Sequence, residues 1–261
     1  MNGDRSDRGL AIVTGASAGL GEEFARQLAR RGYRLLLVAR RADRLEALVA
    51  DLRSAGHEAS SLSADLAADD GRAALWTAID ATGETPALLV NNAGSGVNEL
   101  AWEIDDARTR GMLGLNVDAV TLLSIEAARR MVRAGRGGIF NVASTAAFQA
   151  VPFMAVYGAS KSYNLHFTEA LDEELTGTGV RAFAFCPGYI ATEFQSTAGM
   201  KNAPPSAFTT TPAEAVRRGL DAFESGRSSF IDGATNAALN FVQRFLPRSF
   251  VTKASGRMMR K

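Results

Sequence analysis

Short apolar runs alternate with longer segments of helical periodicity along most of this chain, and no other feature constrains its fold as strongly. Most of the runs are rich in Val, Ile, Leu and Ala and lie between turn-forming residues, so they predict strands. The predicted strands span residues 10–14, 33–39, 57–63, 87–90, 138–143, 180–186 and 229–232. The intervening segments predict helices at residues 19–31, 42–55, 68–81, 105–134, 156–175 and 212–224.

The order of these elements indicates how the strands pair. Strands that are apolar on both faces are typical of parallel sheets, whose neighbouring strands need crossovers of about a dozen residues. The chain therefore predicts an α/β fold with a doubly wound, Rossmann-type parallel sheet of about seven strands and helices on both faces. No linker, low-complexity tract or internal repeat divides it. We expect one domain over residues 1–261, with its core at 9–232 and an extension at 233–261.

Composition narrows the classes of function. A formal net charge of +1 gives no overall field that would recruit nucleic acid. The single cysteine, Cys186, excludes an internal disulfide, and with only His57 and His166 besides we expect no metal site. Residues 1–9 lack the apolar stretch of a signal peptide, and no apolar run reaches about 18 residues, so we expect a soluble, cytoplasmic protein.

A glycine-rich loop, Thr14-Gly15-Ala16-Ser17-Ala18-Gly19-Leu20-Gly21, joins the first predicted strand to the first predicted helix. Glycines at such a junction let the chain turn tightly and bring backbone amides against a diphosphate at the positive helix N-terminus. The Gly-x3-Gly-x-Gly spacing differs from the common G-x-G-x-x-G pattern, and a loop of this kind by itself also occurs as a plain tight turn. Its place in a strand–helix–strand unit favours dinucleotide binding.

The end of the second predicted strand bears on the choice of dinucleotide. NAD-binding folds commonly hold the ribose 2′-hydroxyl there with an acidic residue, whereas this strand runs into Arg40 and Arg41. A guanidinium pairs with a 2′-phosphate through two hydrogen bonds, which predicts NADP(H) in preference to NAD(H). The alternative is that both arginines only begin a solvated helix face.

Several further motifs occur in a fixed order along the chain. They are Asn91-Asn92-Ala93-Gly94 after the fourth strand, Asn116 in the long helix, Ser144 after the fifth strand, Tyr157 and Lys161 on the next helix, and Pro187-Gly188-Tyr189-Ile190-Ala191-Thr192 after the sixth strand. With the glycine loop, and with Tyr157 standing 13 positions after Ser144, they resemble the short-chain dehydrogenase/reductase family over residues 9–232. The resemblance implies an NADP(H)-dependent oxidoreductase that moves a hydride between nicotinamide and a carbonyl or secondary alcohol.

The resemblance also implies roles for the matching residues. Asn116, Ser144, Tyr157 and Lys161 would be catalytic, with Asn116 supporting a proton relay from Lys161 to solvent. Besides Tyr157 and Lys161, the cofactor would contact Gly15, Ser17, Gly19, Leu20, Gly21, Asp65, Leu66, Asn92, Ala93, Gly94, Pro187, Gly188, Ile190 and Thr192. Some NADP-using members carry a basic residue where this chain has Ala18, so the preference for NADP(H) rests on Arg40 and Arg41. A homodimer or homotetramer is implied as well.

The spacing of Tyr157 and Lys161 has its own chemical meaning. Residues four apart are neighbours on one helix face, and a nearby ammonium favours the ionised form of a phenol. We therefore expect Lys161 to lower the pKa of Tyr157, so that Tyr157 exchanges a proton with the substrate oxygen. Ser144 would hydrogen-bond that same oxygen.

Apolar residues flank these motifs and indicate the substrate. Between Ser144 and Tyr157 they are Phe148, Val151, Phe153 and Met154, and after the proline-glycine turn they are Tyr189, Phe194 and Met200. They predict an apolar pocket under a mobile flap near residues 193–210, and hence a hydrophobic ketone, aldehyde or alcohol. The alternative is that several of them pack into the core.

The extension is basic and amphipathic. It mixes Leu239, Phe241, Val242, Phe245 and Leu246 with basic residues at 244, 248, 253, 257, 260 and 261. Such a segment either lies on an anionic membrane or packs on its own body or a partner subunit, and we favour packing.

Two other functions are compatible with the motifs. One is a non-catalytic dinucleotide sensor, and the other is a sugar-nucleotide epimerase or dehydratase that shares the Tyr-x-x-x-Lys pair. Both are less favoured, because sensors usually lose the tyrosine or lysine and the epimerases usually have a longer C-terminal substrate domain.

Overall fold

A single parallel sheet organises the computed structural model, which describes residues 7–200 and 209–259. Its strands are β1 (Leu10–Thr14), β2 (Arg34–Ala39), β3 (Ala59–Ser63), β4 (Leu88–Asn91), β5 (Gly137–Val142), β6 (Val180–Cys186) and β9 (Ser229–Ile231). They lie in the order β3-β2-β1-β4-β5-β6-β9, all parallel. A separate two-stranded ladder, which the sequence did not predict, pairs β7 (Tyr189–Ile190) with β8 (Thr209–Thr210).

The helices agree with the predicted segments to within two residues at each end. They are α1 (Gly19–Arg30), α2 (Ala42–Ser54), α3 (Asp69–Thr82), α4 (Asp106–Leu113), α5 (Val120–Ala134), α6 (Ala155–Glu174) and α8 (Pro212–Glu224). Helices α3 and α5 end at Gly83 and Gly135, which adopt the left-handed conformation. Helix α8 begins where the Thr211 hydroxyl accepts a hydrogen bond from the Glu214 amide. Three further helices were not predicted: α7 (Glu193–Thr197), α9 (Ala234–Gln243) and α10 (Arg248–Met259).

Alternate residues of the central strands face opposite sides of the sheet. Ala11 and Val13 of β1 pack in one apolar cluster with α1, α2 and α8, whereas Leu10 and Ile12 pack in another with α3, α5 and α6. On β2, Leu35 and Leu37 pack in the first cluster and Leu36 packs in the second. Both faces are therefore buried under helices, which confirms the predicted doubly wound architecture.

The order of the strands places the functional end of the sheet. Strand β1 pairs with β2 on one side and with β4 on the other, so the crossovers leave β1 in opposite directions. A crevice forms at the carboxyl ends of strands at such a switch point, and ligands of doubly wound proteins bind there. Here the crevice lies between the loops that follow β1 and β4.

The long helix predicted over residues 105–134 is interrupted. Between α4 and α5 the segment Gly114–Ala119 forms a π-helix. Such bulges are frequent at functional sites, and this one contains Asn116. By length and composition alone Asp106–Ala134 could cross a membrane, but half of its most apolar window is buried inside the protein, as in the core helix of a globular fold.

Candidate active site

A cavity of about 1240 Å³ opens at the carboxyl ends of the strands. It brings together nearly all residues predicted for the site: Gly15, Ser17, Gly19, Leu20, Arg40, Arg41, Asp65, Leu66, Asn92, Ala93, Gly94, Ser144, Tyr157, Lys161, Pro187, Gly188, Ile190 and Thr192. Two predicted residues, Gly21 and Asn116, do not line it. The set comes from seven separate stretches of the chain, which the parallel sheet collects at one edge.

The glycine loop at one end of the cavity is shaped by close backbone contacts. Gly15 has φ +65°, a conformation that side chains disfavour. A Cβ on Gly21 would lie 2.1 Å from the Gly15 carbonyl oxygen, so Gly21 shapes the turn without facing the cavity. Among the described residues no side chain caps the first turn of α1, where Ala18 is the N-cap. Its free amides and positive end suit a diphosphate.

Hydrogen bonds link the loop after β1 to the loop after β4. The Thr14 hydroxyl accepts hydrogen bonds from the amides of Asn92 and Ala93, each at 3.0 Å. The Asn92 side chain donates in return to the carbonyl oxygens of Thr14 at 3.0 Å and Gly15 at 3.3 Å. These bonds fix the width of the crevice and leave Asn92, Ala93 and Gly94 on its wall.

The arginines at the end of β2 have a partner that the sequence did not reveal. Arg41 Nη1 contacts Glu193 Oε2 at 2.8 Å, and Arg41 Nε donates to Ser17 Oγ at 3.2 Å. Arg44 Nη1 contacts the other Glu193 oxygen at 2.8 Å. Hydrogen bonds from Arg41 and Arg44 lower the pKa of Glu193, which holds an anionic oxygen beside the guanidinium of Arg41. Arg40 is exposed at the same rim.

Ser144, Tyr157 and Lys161 meet deeper in the cavity. Ser144 follows β5 and caps the 3-10 turn Thr145–Phe148, and its side chain hydrogen-bonds Tyr157. Tyr157 and Lys161 lie one turn apart on α6. Lys161 Nζ donates to the Val142 carbonyl oxygen at 2.7 Å and lies 5.9 Å from the centre of the Tyr157 ring. The hydroxyl, phenol and amine therefore face one space.

The expected lowering of the tyrosine pKa by Lys161 is wrong for the protein on its own. Burial raises the pKa of Tyr157 to about 12, and the hydrogen bond with Ser144 only partly opposes it. Burial also lowers the pKa of Lys161 to about 8. Lys161 is only 4% exposed, and no carboxylate among the described residues pairs with it. Desolvation thus outweighs any stabilisation of the phenolate, so at pH 7 Tyr157 is neutral while Lys161 still carries most of its charge.

Asn116 lies behind the cavity wall. Its side chain is fully buried. The side-chain oxygen accepts a hydrogen bond from the Ser95 amide at 2.9 Å, and the side-chain nitrogen donates one to the Ser95 carbonyl oxygen at 2.9 Å. It also donates to Ser160 Oγ at 3.0 Å. A Cβ on Gly94 would meet Asn116 Oδ1 at 3.3 Å and Lys161 Nζ at 3.5 Å, so the two side chains share one wall.

The outer part of the cavity is apolar. Five residues predicted for the substrate pocket line it: Val151, Met154, Tyr189, Phe194 and Met200. The Phe194 ring, on α7, lies 5.3 Å from the Tyr157 ring between centres. A Thr192–Gln195 capping box begins α7 and holds this ring in place. Residues 201–208 of the predicted flap lie outside the described part of the chain.

Two of the predicted pocket residues do not line the cavity. Phe148 packs against a small core cluster around Leu165 and Cys186, because the 3-10 turn directs it toward α6. Phe153 adopts φ +66°, and its carbonyl oxygen accepts from the Glu99 amide at 2.8 Å. Cys186 itself is fully buried, and burial raises the pKa of its thiol to about 12, as expected for a core residue.

Helices α9 and α10 border the outer end of the cavity, an arrangement that the sequence did not predict. Leu239, Val242 and Gln243 of α9 line it, followed by residues 246, 250, 251, 254, 255, 258 and 259. Met259 packs with Tyr157 and Phe194 in one apolar cluster. The expectation that the extension packs on its own body is therefore supported for this face of the helices.

Comparison with known proteins agrees with the site. The family model of short chain dehydrogenases matches residues 9–203. Galactitol 2-dehydrogenase (L-tagatose-forming) of Cereibacter sphaeroides is 38% identical over 194 residues, which are 72% of this chain and 74% of that protein. The structure of a short-chain dehydrogenase from Sphingobium yanoikuyae in complex with NADPH is 31% identical, with a TM-score of 0.81 over 90% of this chain and 94% of that one.

A second solved structure is similar over the same extent. It is the bulky-bulky ketone specific alcohol dehydrogenase from Comamonas testosteroni, 27% identical, with a TM-score of 0.77 over 90% of this chain and 92% of that one. The matches combine a doubly wound sheet with a site for a dinucleotide and an alcohol or ketone. The chain therefore belongs to the short-chain dehydrogenase family and is an oxidoreductase that acts on alcohol or ketone groups with a dinucleotide cofactor.

Proposed function

We propose that this protein is an NADP(H)-dependent reductase of apolar ketones or aldehydes, with Tyr157 as the general acid. One observation carries the proposal: a single cavity joins a glycine loop at one end to Ser144, Tyr157 and Lys161, and then to an apolar outer chamber. That order matches the parts of the reaction, with an anchor for the diphosphate, a proton donor and a space for the substrate.

The residues at the glycine-loop end of the cavity fit a dinucleotide. The glycine loop offers uncapped amides to the diphosphate, and Asp65 and Leu66 would meet the adenine. Arg41 already binds a carboxylate oxygen of Glu193, so a 2′-phosphate oxygen could take the same kind of position. Arg40 adds a second positive charge at the rim, and both arginines therefore favour NADP(H) over NAD(H).

The catalytic step uses groups that lie together in the structure. Tyr157 donates its hydroxyl proton to the substrate oxygen during reduction and takes it back during oxidation. Ser144 donates a hydrogen bond to that same oxygen and stabilises its developing negative charge. When bound, the nicotinamide supplies or accepts the hydride.

Lys161 and Asn116 support the proton donor. A protonated Lys161 stabilises the phenolate that Tyr157 leaves behind, and this opposes the burial that raises the tyrosine pKa. Asn116 fixes the Ser95 backbone and shares a wall with Lys161, a position suited to returning a proton through water. Lys161 would also bind the ribose hydroxyls of the nicotinamide half.

The outer chamber argues for an apolar substrate. One relative acts on the polyol galactitol and another on bulky ketones, so similarity alone leaves the polarity of the substrate open. In this chain Val151, Met154 and Phe194 surround the Tyr157 end of the cavity, and α9 and α10 add further apolar side chains. Apart from Lys161, which supports Tyr157, no cationic side chain among the described lining residues near Tyr157 suits a carboxylate or phosphate group.

The cofactor preference is tested by titrating the intrinsic fluorescence with NADPH and NADH. Wild type should bind NADPH more tightly, and Arg41→Gln should weaken NADPH binding about tenfold with little effect on NADH, since a charge-assisted pair is lost. Arg44→Gln is the matched control, because Arg44 also pairs with Glu193 but does not line the cavity. Equal weakening of both nucleotides by Arg41→Gln would refute the assignment.

The reaction is tested by following NADPH absorbance with a panel of ketones and aldehydes of graded size and polarity. We expect turnover to favour large apolar carbonyls. Tyr157→Phe removes only the hydroxyl and should abolish turnover while leaving NADPH binding within a few-fold, because the proton donor is lost and the cavity is kept. Full activity of this variant would exclude Tyr157 as the acid.

A further inference from the structure

The C-terminal extension carries a charge opposite to that of the rest of the chain. Six of the 29 basic residues and none of the 28 acidic residues lie after Asp232, so residues 233–261 carry +6 and residues 1–232 carry −5. The structure describes four of these cations, and all four are exposed: Arg244, Arg248, Lys253 and Arg257. None forms a salt bridge within the described part of the chain. They are solvated cations that would attract an anionic partner.

Helices α9 and α10, with the turn between them, expose most of the large apolar side chains found at the surface of the described residues. Seven lie between Leu239 and Met258, from Leu246 at 39% exposed to Phe245 at 75%. Five others are scattered over the remaining described residues. Clustered apolar exposure marks an interaction site, whereas isolated residues need no explanation. Along α10, Phe250, Lys253 and Arg257 follow one another at helical spacing, so cations border the apolar surface.

This apolar surface is continuous with the substrate cavity. Five of its residues are both exposed and part of the cavity lining: Leu239, Val242, Leu246, Phe250 and Met258. The opposite side of α10 is packed, since a Cβ on Gly256 would lie 3.2 Å from Pro152 Cγ. The exposed apolar surface is therefore the rim of the cavity mouth.

We propose that α9 and α10 dock this rim on an anionic lipid bilayer, with the cavity mouth turned toward the lipid. Interfacial helices bury apolar side chains at the boundary between headgroups and acyl chains, while lysines and arginines contact anionic headgroups. The segment supplies both components and has no acidic residue to oppose the attraction. A second copy is a poorer occupant, because a two-fold contact would press two segments of +6 against each other.

The docking has a consequence for the substrate, and this consequence rests on the function proposed above. An apolar ketone dissolved in the bilayer would enter the chamber beside Tyr157 from the lipid, without crossing water. The substrate class is then a membrane-partitioned carbonyl compound rather than a freely soluble one.

Vesicle sedimentation tests the docking without any need for turnover. The full chain is mixed at 0.1 M salt with sucrose-loaded vesicles of phosphatidylcholine alone, or with 30% phosphatidylglycerol. We expect binding to the anionic vesicles only, weakened at 0.5 M salt because screening shortens the reach of the charges. Absence of binding to anionic vesicles, or equal binding to both kinds, would overturn the proposal while leaving the reductase function intact.

Variants locate the binding surface. Arg248→Gln with Lys253→Gln should weaken binding about 25-fold, at about fivefold per basic residue, and Phe241→Ser with Phe245→Ser about tenfold or more. None of these four residues lines the cavity. Arg133→Gln with Arg136→Gln and, separately, Leu122→Ser are controls at exposed positions in or beside α5, and should stay within about twofold.

Circular dichroism checks that each variant is folded. Equal losses in the control variants would contradict the proposal. So would a dimer detected by light scattering that the Phe241→Ser and Phe245→Ser pair dissolves, because the apolar rim would then serve a second copy.

Discussion

Replacing Lys161 with methionine is expected to stabilise the protein while abolishing its activity. Lys161 is almost fully buried, and its one described hydrogen bond goes to the Val142 carbonyl oxygen. Burial lowers its pKa from 10.5 to about 8, so at pH 7 the folded protein bears the cost of a poorly solvated ammonium. Methionine is similarly long and unbranched but carries no charge.

The magnitude follows from that pKa. A fall from 10.5 to about 8 corresponds to about 3 kcal/mol at pH 7, where both folded and unfolded states are protonated. Loss of the hydrogen bond to Val142 offsets about 1 kcal/mol. The variant should therefore be more stable than wild type by about 2 kcal/mol at pH 7. Between pH 8 and 10.5 the unfolded chain keeps the proton that the folded protein releases, so wild-type stability rises with pH and the difference approaches zero near pH 10.

Urea unfolding of both proteins at pH 7 and pH 10 measures this difference. Lys253→Met is the matched control, since Lys253 is exposed and its replacement should change stability by less than about 0.5 kcal/mol at either pH. A Lys161→Met variant that is less stable than wild type at pH 7, or a difference that does not shrink with pH, would refute the reasoning. Parallel loss of turnover would show that the buried charge is kept for function.

The site and the core allow three further tests. Gly21→Ala should abolish dinucleotide binding in the fluorescence titration, because the new Cβ would lie 2.1 Å from the Gly15 carbonyl oxygen; Gly111→Ala, which meets nothing within 4 Å, should bind normally. Asn164→Leu should raise the free energy of unfolding in urea by about 1 kcal/mol, because both polar atoms of Asn164 are buried without a partner among the described residues; a loss of stability would contradict this. Finally, kcat/KM for ketone reduction should fall above pH 8, where Lys161 loses the charge that supports the Tyr157 phenolate; a flat profile to pH 10 would exclude that role.

The sequence was sufficient to predict the fold and most of the site because those features are local. Short continuous apolar runs located β1 and β2, and the Gly15–Gly21 loop followed from its place after a strand. Four-residue spacing put Tyr157 and Lys161 on one face of α6. Once the sheet is parallel, motifs that follow successive strands must meet at the same edge.

The features that escaped prediction depend on contacts between distant parts of the chain. Glu193 pairs with Arg41 across 152 residues of sequence, and no local pattern marks either as the partner of the other. The direction of the tyrosine pKa shift depends on how far Tyr157 and Lys161 are desolvated, which spacing alone does not report. The position of α9 and α10 beside the cavity could not be predicted for a related reason. A basic amphipathic segment can pack on its own body, on a partner subunit or on an anionic membrane, and its sequence does not distinguish these.

Transfer of deuterium from the cofactor to the product tests the central claim most directly. The protein is incubated with NADPH deuterated at nicotinamide C4, once on each face, and with the best apolar ketone from the panel, and the alcohol is examined by mass spectrometry. We expect an alcohol heavier by one mass unit with one of the two labelled cofactors, together with an equal amount of NADP⁺, and no labelled product with Tyr157→Phe. Tight NADPH binding without any labelled alcohol, or label that returns to the cofactor as in an epimerase, would contradict it.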